Sequence, residues 1–471
     1  MNLLGGGRPE AVALVLNDGR EVCYEELRER VSGAATAFAG RGVVVILCNN
    51  DFASLLWYLA ALEAQCVPLL LPGGLDRSQL QSLMSRYAPR YLVHRREDLG
   101  NSEWRARTAS KDEGYELLAC AQTREAPIDP SLALLLPTSG SSGSPKLVRL
   151  SARNVCANAD SIIEYLGITP GERAITSLPI HYSYGLSVIH SHLRAGASLA
   201  LTERSLMEAE FWRQVRGQQV TSMAGVPYSF EMLLKLRLER LDLGSMRTCT
   251  QAGGRLAREK ILAVHRALWQ KGVQFVTMYG QTEATARIAY LPADLTPAKA
   301  GSIGKAIPGG RLWLEDESSA RITRPGTVGE LVYAGPNVCM GYAHSLEDLA
   351  MGDVNAGVLR TGDLATFDED GLFTIQGRVS RFVKLFGVRV SLDAVERTLA
   401  DWGLQGVAAG DDERLLLHLV AAEGLDSEVV RSRLADTLLL HRSAIQVRCL
   451  TELPRLANGK IDYRALEEPA L

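Results

Sequence analysis

Thr138-Ser139-Gly140-Ser141-Ser142-Gly143-Ser144-Pro145-Lys146 combines hydroxyls, glycines and a terminal cation in one short loop. Such a loop can wrap a polyphosphate. Glycines let the backbone approach closely, N–H groups and hydroxyls donate to oxygens, and Lys146 brings positive charge. Pro145 before the lysine and Leu147 after it separate this loop from the common nucleotide loop G-x-x-x-x-G-K-[ST], which disfavours a kinase or GTPase. By composition alone the same tract also fits a flexible linker.

Four further motifs follow. In Tyr279-Gly280-Gln281-Thr282-Glu283 a hydroxyl beside a carboxylate can pair a phosphate donor with a magnesium ligand, or Thr282 can simply cap a helix. Arg360-Thr361-Gly362-Asp363-Leu364 offers an aspartate in a tight loop that can accept two ribose hydroxyls, although Gly-Asp is also an ordinary turn. Gly377-Arg378 precedes Lys384 and Gly387, and Leu453-Pro454 precedes Asn458-Gly459-Lys460-Ile461-Asp462, where Asn-Gly reads equally as a turn.

The elements that must position these residues alternate. Apolar residues 132–136 read as a buried strand leading into the first loop. Helical patterns at 24–39, 52–64, 154–166, 186–193, 208–216 and 256–269 interleave with strand-like runs at 43–48, 67–71, 91–94, 174–178, 198–202, 220–224 and 275–278. This rhythm predicts an α/β fold of parallel sheets covered by helices, with ligand loops at the carboxyl ends of strands. Beyond about residue 300, Gly/Pro-punctuated short strands predict a β-rich subdomain. The remainder is mixed: a hairpin at 372–386, helices at 392–400 and 427–439, strands at 415–420 and 445–450. The boundary falls near 377–381.

Bulk properties exclude several classes. The 471 residues carry a net charge of −3, which supplies no electrostatic argument for nucleic acid or an anionic membrane. Eight scattered cysteines contain no C-x-x-C pair, against a zinc site or disulfide framework and for a reducing compartment. Residues 1–7 lack the character of a signal peptide, and the apolar window 55–71 is broken by Glu63, Gln65 and Pro68. It reads as a buried helix followed by a strand rather than a membrane span. A cytoplasmic protein is the expectation.

The five motifs, in this order, resemble the adenylate-forming superfamily of acyl-CoA synthetases, nonribosomal-peptide adenylation domains and luciferases. Gly329-Glu330-Leu331 with Gly341-Tyr342 resembles another core motif of that superfamily, and the likeness runs from about residue 24 to 465. It implies a large N-terminal domain, 1–379, and a small mobile α+β C-terminal domain, 380–471. It also implies activation of a carboxylate with Mg-ATP to an acyl-adenylate, followed by transfer to a thiol of CoA or of carrier-protein phosphopantetheine. On this likeness Thr138, Ser139, Gly140, Ser141, Ser142, Gly143 and Lys146 hold the β,γ-phosphates, Thr282 meets the α-phosphate and Glu283 binds Mg²⁺. Asp363 and Arg378 grip the ribose, and Tyr279, beside Gly280, stacks near adenine. Lys460 bridges carboxylate and phosphate, and Gly387, downstream of Lys384, leaves room for pantetheine. Three positions depart from the pattern: Ser380 at the hinge, Leu147 after the loop lysine, and Ser141-Ser142 for a threonine pair.

Leu178-Pro179-Ile180-His181-Tyr182-Ser183-Tyr184-Gly185-Leu186 resembles the segment closing the acyl pocket, with His181 as its aromatic gate. An isolated histidine is also commonly a satisfied core residue. Ser183 falls where α-amino-acid-activating domains place an aspartate. A serine cannot offset burial of an ammonium, which argues against a standard α-amino acid and for an uncharged tail. Tyr184, Ser187, Gly225, Tyr228 and Gly253 are candidate pocket walls, suggesting a small or medium acid. His190 and His192 diverge on a helix and are rejected as metal ligands. No carrier attachment site follows Lys460. The expected function is thus an acyl-CoA-synthetase-like ligase. The alternatives are a stand-alone enzyme loading an unusual amino or aryl acid onto a carrier protein, and a non-catalytic nucleotide-binding relative.

Overall fold

Val43–Cys48 is apolar at every position and buried at every position, as a strand covered on both faces requires. Gly40-Arg41-Gly42 leads into it, and Asp51 then caps the next helix, Phe52–Glu63, by accepting from the Ser54 N–H at 2.8 Å. That helix is buried through almost its whole circumference, and Val67–Pro72 follows it as the adjacent parallel strand. The helix-then-strand reading of the 55–71 window therefore holds. No helix among the described residues is long and apolar enough to cross a membrane.

The computed structural model describes residues 1–95, 104–109, 114–120, 126–138, 146–379, 381–385, 388–411, 414–422, 425–438, 440–456 and 461–467. The chain forms two units: Met1–Arg311 with Tyr333–Leu359, and Leu312–Val332 with Arg360–Leu471.

The first unit holds two large α/β sheets. In one, six parallel strands run in the order Gln274–Tyr279, Thr248–Gln251, Ser222–Gly225, Arg173–Ile175, Ser198–Ala200 and Val12–Val15, and antiparallel strands close both edges. In the other, the parallel centre is Leu132–Pro137, Val67–Pro72, Val43–Cys48 and Tyr91–Arg95. Leu14 and Leu199 from the first sheet and Val44 and Leu134 from the second share one core with the helices Phe52–Glu63 and Ser183–Arg194. Between those helices the Tyr58 hydroxyl and His190 Nε2 lie 2.7 Å apart.

Several strands went unread in the sequence, among them Val12–Val15, Thr248–Gln251 and Leu147–Ser151. Leu147–Ser151 returns antiparallel to Leu132–Pro137, so Thr138 and Lys146 stand at the adjoining ends of two paired strands. Arg149, in the middle of Leu147–Ser151, is fully buried. Its Nε donates to the Tyr342 carbonyl at 3.1 Å, Nη2 to those of Met340 at 2.9 Å and Gly352 at 3.2 Å, and Nη1 to that of Met351. Gly341 sits at φ +116°, where a Cβ would come within 2.5 Å of Val354 and 3.1 Å of Arg149 Nη2. The glycine and the arginine together fix the turn that presents Tyr342.

Most of the five-stranded sheet Arg321–Ile322, Arg311–Glu315, Gly329–Ala334, Val358–Phe367 and Phe373–Arg378 belongs to the second unit. That unit also contains a three-stranded sheet, Gly406–Gly410, Leu415–Val420 and Ile445–Leu450, whose core includes residues of the helices Leu392–Asp401 and Ser427–Leu438.

Arg149→Met takes the side-chain donor from four carbonyls, that of Met340 buried and the others partly buried, so it destabilises the larger unit by about 3 kcal/mol in denaturant unfolding. An unchanged midpoint would show that the clamp contributes nothing.

Candidate active site

Parallel strands deliver loops at their carboxyl ends, and in the first unit the candidate residues emerge there. Leu178–Ser183 follows Arg173–Ile175, Gly225–Tyr228 follows Ser222–Gly225, Gly253 follows Thr248–Gln251, and Gly280–Glu283 follows Gln274–Tyr279. Thr138 follows Leu132–Pro137 in the second sheet.

Thr138 and Lys146 stand at the adjoining strand ends, with the Thr138 N–H 3.5 Å from the Lys146 carbonyl. Ser139, Gly140, Ser141, Ser142 and Gly143 lie outside the described residues. The Thr138 hydroxyl is buried without a hydrogen-bond partner, which suits a group that donates to an incoming oxygen. Lys146 Nζ lies 3.6 Å from the centroid of the Tyr342 ring, and the Tyr342 hydroxyl donates to Glu283 Oε1 at 2.7 Å. Burial and the Glu283 carboxylate both push the Tyr342 phenol upward, so it stays a donor. Lysine, tyrosine ring and glutamate thus form one ordered array.

The Tyr279–Glu283 segment doubles back sharply. A Cβ at Gly280 would sit 1.7 Å from the Ala286 carbonyl oxygen, so only glycine fits. The helix start allowed by the sequence is a single 3-10 turn, Thr282–Ala284. Thr285 then takes φ +64° and ψ −59°, and the Ala286 N–H donates across it to the Ala284 carbonyl at 2.7 Å. This is a γ-turn of the strained hand, and the Thr285 hydroxyl, donating to the Asn337 carbonyl at 2.8 Å, helps to hold it. The Tyr279 hydroxyl accepts from the Gln281 side chain at 3.1 Å.

The acyl-pocket segment meets this turn directly. Ser183 opens the helix Ser183–Arg194, and its Oγ is 3.2 Å from Thr282 Oγ1. Tyr184 is buried, with its hydroxyl 2.8 Å from the Thr250 carbonyl, and Ser187 donates to the Tyr184 carbonyl at 2.7 Å. Gly253, at φ +86°, lets the Tyr182 hydroxyl approach to 2.5 Å from where a Cβ would stand. Gly225 packs beneath Phe230 and Ser229, whereas Tyr228 is an exposed large side chain. The His181 Nδ1 is buried without a partner, and burial lowers this imidazole to about 4. His190 and His192 do diverge: His192 reaches the Val188 carbonyl and Ser222, while His190 reaches Tyr58.

Arg287 carried no motif in the sequence, yet it is buried with its guanidinium 3.9 Å from the Tyr184 ring centroid. A single arginine in Ala286-Arg287-Ile288-Ala289, breaking an apolar run, was the only local signal.

In the second unit, Arg378 Nε is 3.0 Å from Asp363 Oδ1, the two residues being register partners on adjacent strands. Asp363 is buried, and the Arg378 backbone N–H donates to Asp393 at 2.7 Å. Lys384 lies in the strand Phe382–Leu385, opposite Arg389, and its side chain is not among those described. Ser380, Gly387 and Lys460 also lie outside the described residues. The segment carrying Lys460 is closed at its base by an antiparallel bridge between Arg455 and Ile461 and by the Asp462 N–H donating to the Pro454 carbonyl at 2.9 Å. Among the described residues, no cluster of three or more His, Cys, Asp or Glu could hold a metal ion.

The model of a family described as AMP-binding enzyme matches residues 5–343. A linear gramicidin synthase polypeptide of Brevibacillus parabrevis is 28% identical over 489 residues, covering 98% of this chain and 6% of the synthase. The chain therefore spans only a small part of that relative. Indoleacetate–CoA ligase of Aromatoleum aromaticum is 30% identical over 364 residues, covering 74% of this chain and 70% of the ligase. Among solved structures, the o-succinylbenzoate CoA synthetase of Bacillus subtilis, in complex with an acyl-adenylate intermediate, aligns with a TM-score of 0.78 at 22% identity, covering 98% of this chain and 96% of that one. At that identity the likeness speaks for the fold.

Two outcomes follow from this geometry. Gly280→Ala costs roughly 3 kcal/mol in unfolding, because the methyl group overlaps a carbonyl that the γ-turn fixes. His181 remains neutral between pH 8 and 6 in ring-nitrogen NMR. Its folded pKa lies below the unfolded value of about 6.5, so the stability at stake is intact above that pH and is lost as pH falls from there toward 4. An imidazole titrating near pH 6.5 would contradict the burial argument.

Proposed function

The chain belongs to the AMP-binding enzyme family of adenylate-forming enzymes, and from that premise we propose that it activates a small or medium carboxylic acid with Mg-ATP and transfers the acyl group to a pantetheine thiol. The observation that carries this reading is the array Lys146–Tyr342–Glu283 beside the Thr282–Ser183 contact. It brings together a cation, a carboxylate and hydroxyls, the kinds of group that a triphosphate and an acid require.

In the first step a carboxylate oxygen attacks the α-phosphorus and pyrophosphate leaves. In the second a thiolate attacks the acyl carbon and AMP leaves, giving a thioester. Little covalent chemistry falls to the protein, so positioning and charge supply the acceleration. Lys146, Thr138 and the loop between them would hold the terminal phosphates. Thr282 would donate toward the α-phosphate, and Tyr279 would lie near adenine. Glu283 would be a protein ligand for Mg²⁺, which suits a cation usually bound by one or two carboxylates together with substrate phosphates. Once bound, Mg²⁺ would neutralise charge on the departing pyrophosphate. Asp363 and Arg378 would engage the ribose, Lys460 would bridge carboxylate and phosphate, and Gly387 would pass the pantetheine. His181 would shield the acyl carbon as a neutral ring. The division into a domain of residues 1–379 and a lid of residues 380–471 belongs to the same reading.

CoA is favoured as acceptor because Ser183 and His181 fit a CoA ligase better than an α-amino-acid-activating domain. Loading of an unusual amino or aryl acid onto a carrier protein is the second reading, supported by the relation to a peptide synthetase.

The test is pyrophosphate release with Mg-ATP across a panel of carboxylic and amino acids, without thiol. Release with particular acids, reduced about 100-fold or more in Lys460→Ala with nucleotide binding retained, is the expected outcome. Nucleotide binding without release for any acid would favour a non-catalytic relative.

A further inference from the structure

Two buried arginines of the first unit invite comparison. Arg149 has every arm of its guanidinium answered by backbone carbonyls. Arg287 is equally sequestered, at 1% exposure, yet its Nε and Nη1 have no hydrogen-bond partner. Its surroundings are aromatic: the Tyr184 ring centroid lies 3.9 Å away, and the Tyr165 hydroxyl is within hydrogen-bonding reach. A π face attracts a cation but supplies no lone pair for its in-plane N–H groups. A buried guanidinium left in this state is costly unless something arrives to accept.

The surroundings also have room. Arg287 lines a cavity with Ile162, Val188, His192, Ser222 and Thr250. His192 is neutral, because burial lowers it to about 4. Glu172, the other charged residue on the cavity wall, is engaged by Arg247 at 3.1 Å. The cavity is therefore amphipathic, with one cation whose Nε and Nη1 lack acceptors. Arg287 is linked to the reacting end by two contacts: Ser183 touches Thr282, and the next residue, Tyr184, lies against Arg287. The backbone around Arg287 is pinned, since its carbonyl accepts from Asn337 at 2.8 Å and Asn158 at 3.2 Å.

We infer that Arg287 receives a second carboxylate on the acid being activated, so that the substrate class is a dicarboxylic acid. This deepens the ligase reading and rests on it. One carboxylate meets Thr282 and is adenylated. The other pairs with the empty N–H groups of Arg287 in a charge-assisted contact. Ser183 still disfavours an ammonium beside the reacting carboxylate, but the tail is anionic rather than uncharged.

The experiment compares wild-type enzyme, Arg287→Met and Arg287→Lys on linear and aromatic dicarboxylic acids and on their half methyl esters, which are neutral near-isosteres. Pyrophosphate release gives kcat/KM, and calorimetry without ATP gives binding. The wild type is expected to prefer at least one diacid over its half-ester by about 100-fold. Arg287→Met abolishes that preference, and Arg287→Lys keeps part of it. Equal or better use of half-esters by the wild type overturns this inference and leaves adenylation standing. Arg287-dependent diacid binding without pyrophosphate release supports the anion site and overturns the ligase reading. Neither release nor Arg287-dependent binding overturns both. Because the wild-type comparison decides the first point, misfolding of a variant does not protect the inference.

Discussion

A guanidinium shut away from water must be answered by acceptors, and Arg149 is answered entirely by carbonyls of a segment some two hundred residues further along the chain. Much of the candidate site depends on that contact. It ties the strand Leu147–Ser151 to the turn at Gly341 and so delivers Tyr342 to Glu283. Lys146 then lies against the face of the same ring, so the placement of two charges separated widely in sequence is referred to one buried cation. A polar group in the interior serves as a coordinate here because any slip would leave it unsatisfied.

Around that reference the parallel sheet does the coarse positioning and local strain the fine. Strand ends set the loops within reach of one another. The Gly280 turn and the Thr285 γ-turn then bring Thr282 against Ser183. Such a turn persists only where its neighbours over-determine it, as the Asn337 carbonyl and the β-pairing beyond Tyr279 do here. Backbone held in this way is set by the fold itself.

The sequence disclosed the parts that depend on local chemistry. The Gly280-Gln281-Thr282-Glu283 turn and the alternation of helix and strand each need particular residues at particular spacings, and each could be read. The strand Leu147–Ser151 was missed because Arg149 reads as a surface residue until the carbonyls that bury it are known. Tyr342 was seen only as part of a resemblance, since its two charged neighbours come from distant loops. Arg287 was invisible for a related reason: whether a guanidinium has partners is a property of the surroundings. The histidines show the converse. A lone His181 gave no way to choose between core and site, and its unpartnered, buried Nδ1 is a tertiary fact.

The Tyr342 hydroxyl has a bearing on the order in which ligands assemble. It occupies Oε1 of Glu283, which leaves the other carboxylate oxygen as the free one. Among the described residues no cluster of acidic or imidazole groups stands by to complete a coordination shell. A strongly hydrated dication offered one oxygen has little reason to shed its water. The same dication already carried by a triphosphate brings most of its ligands with it. If Glu283 takes the metal role proposed for it, metal and nucleotide would enter as a single species.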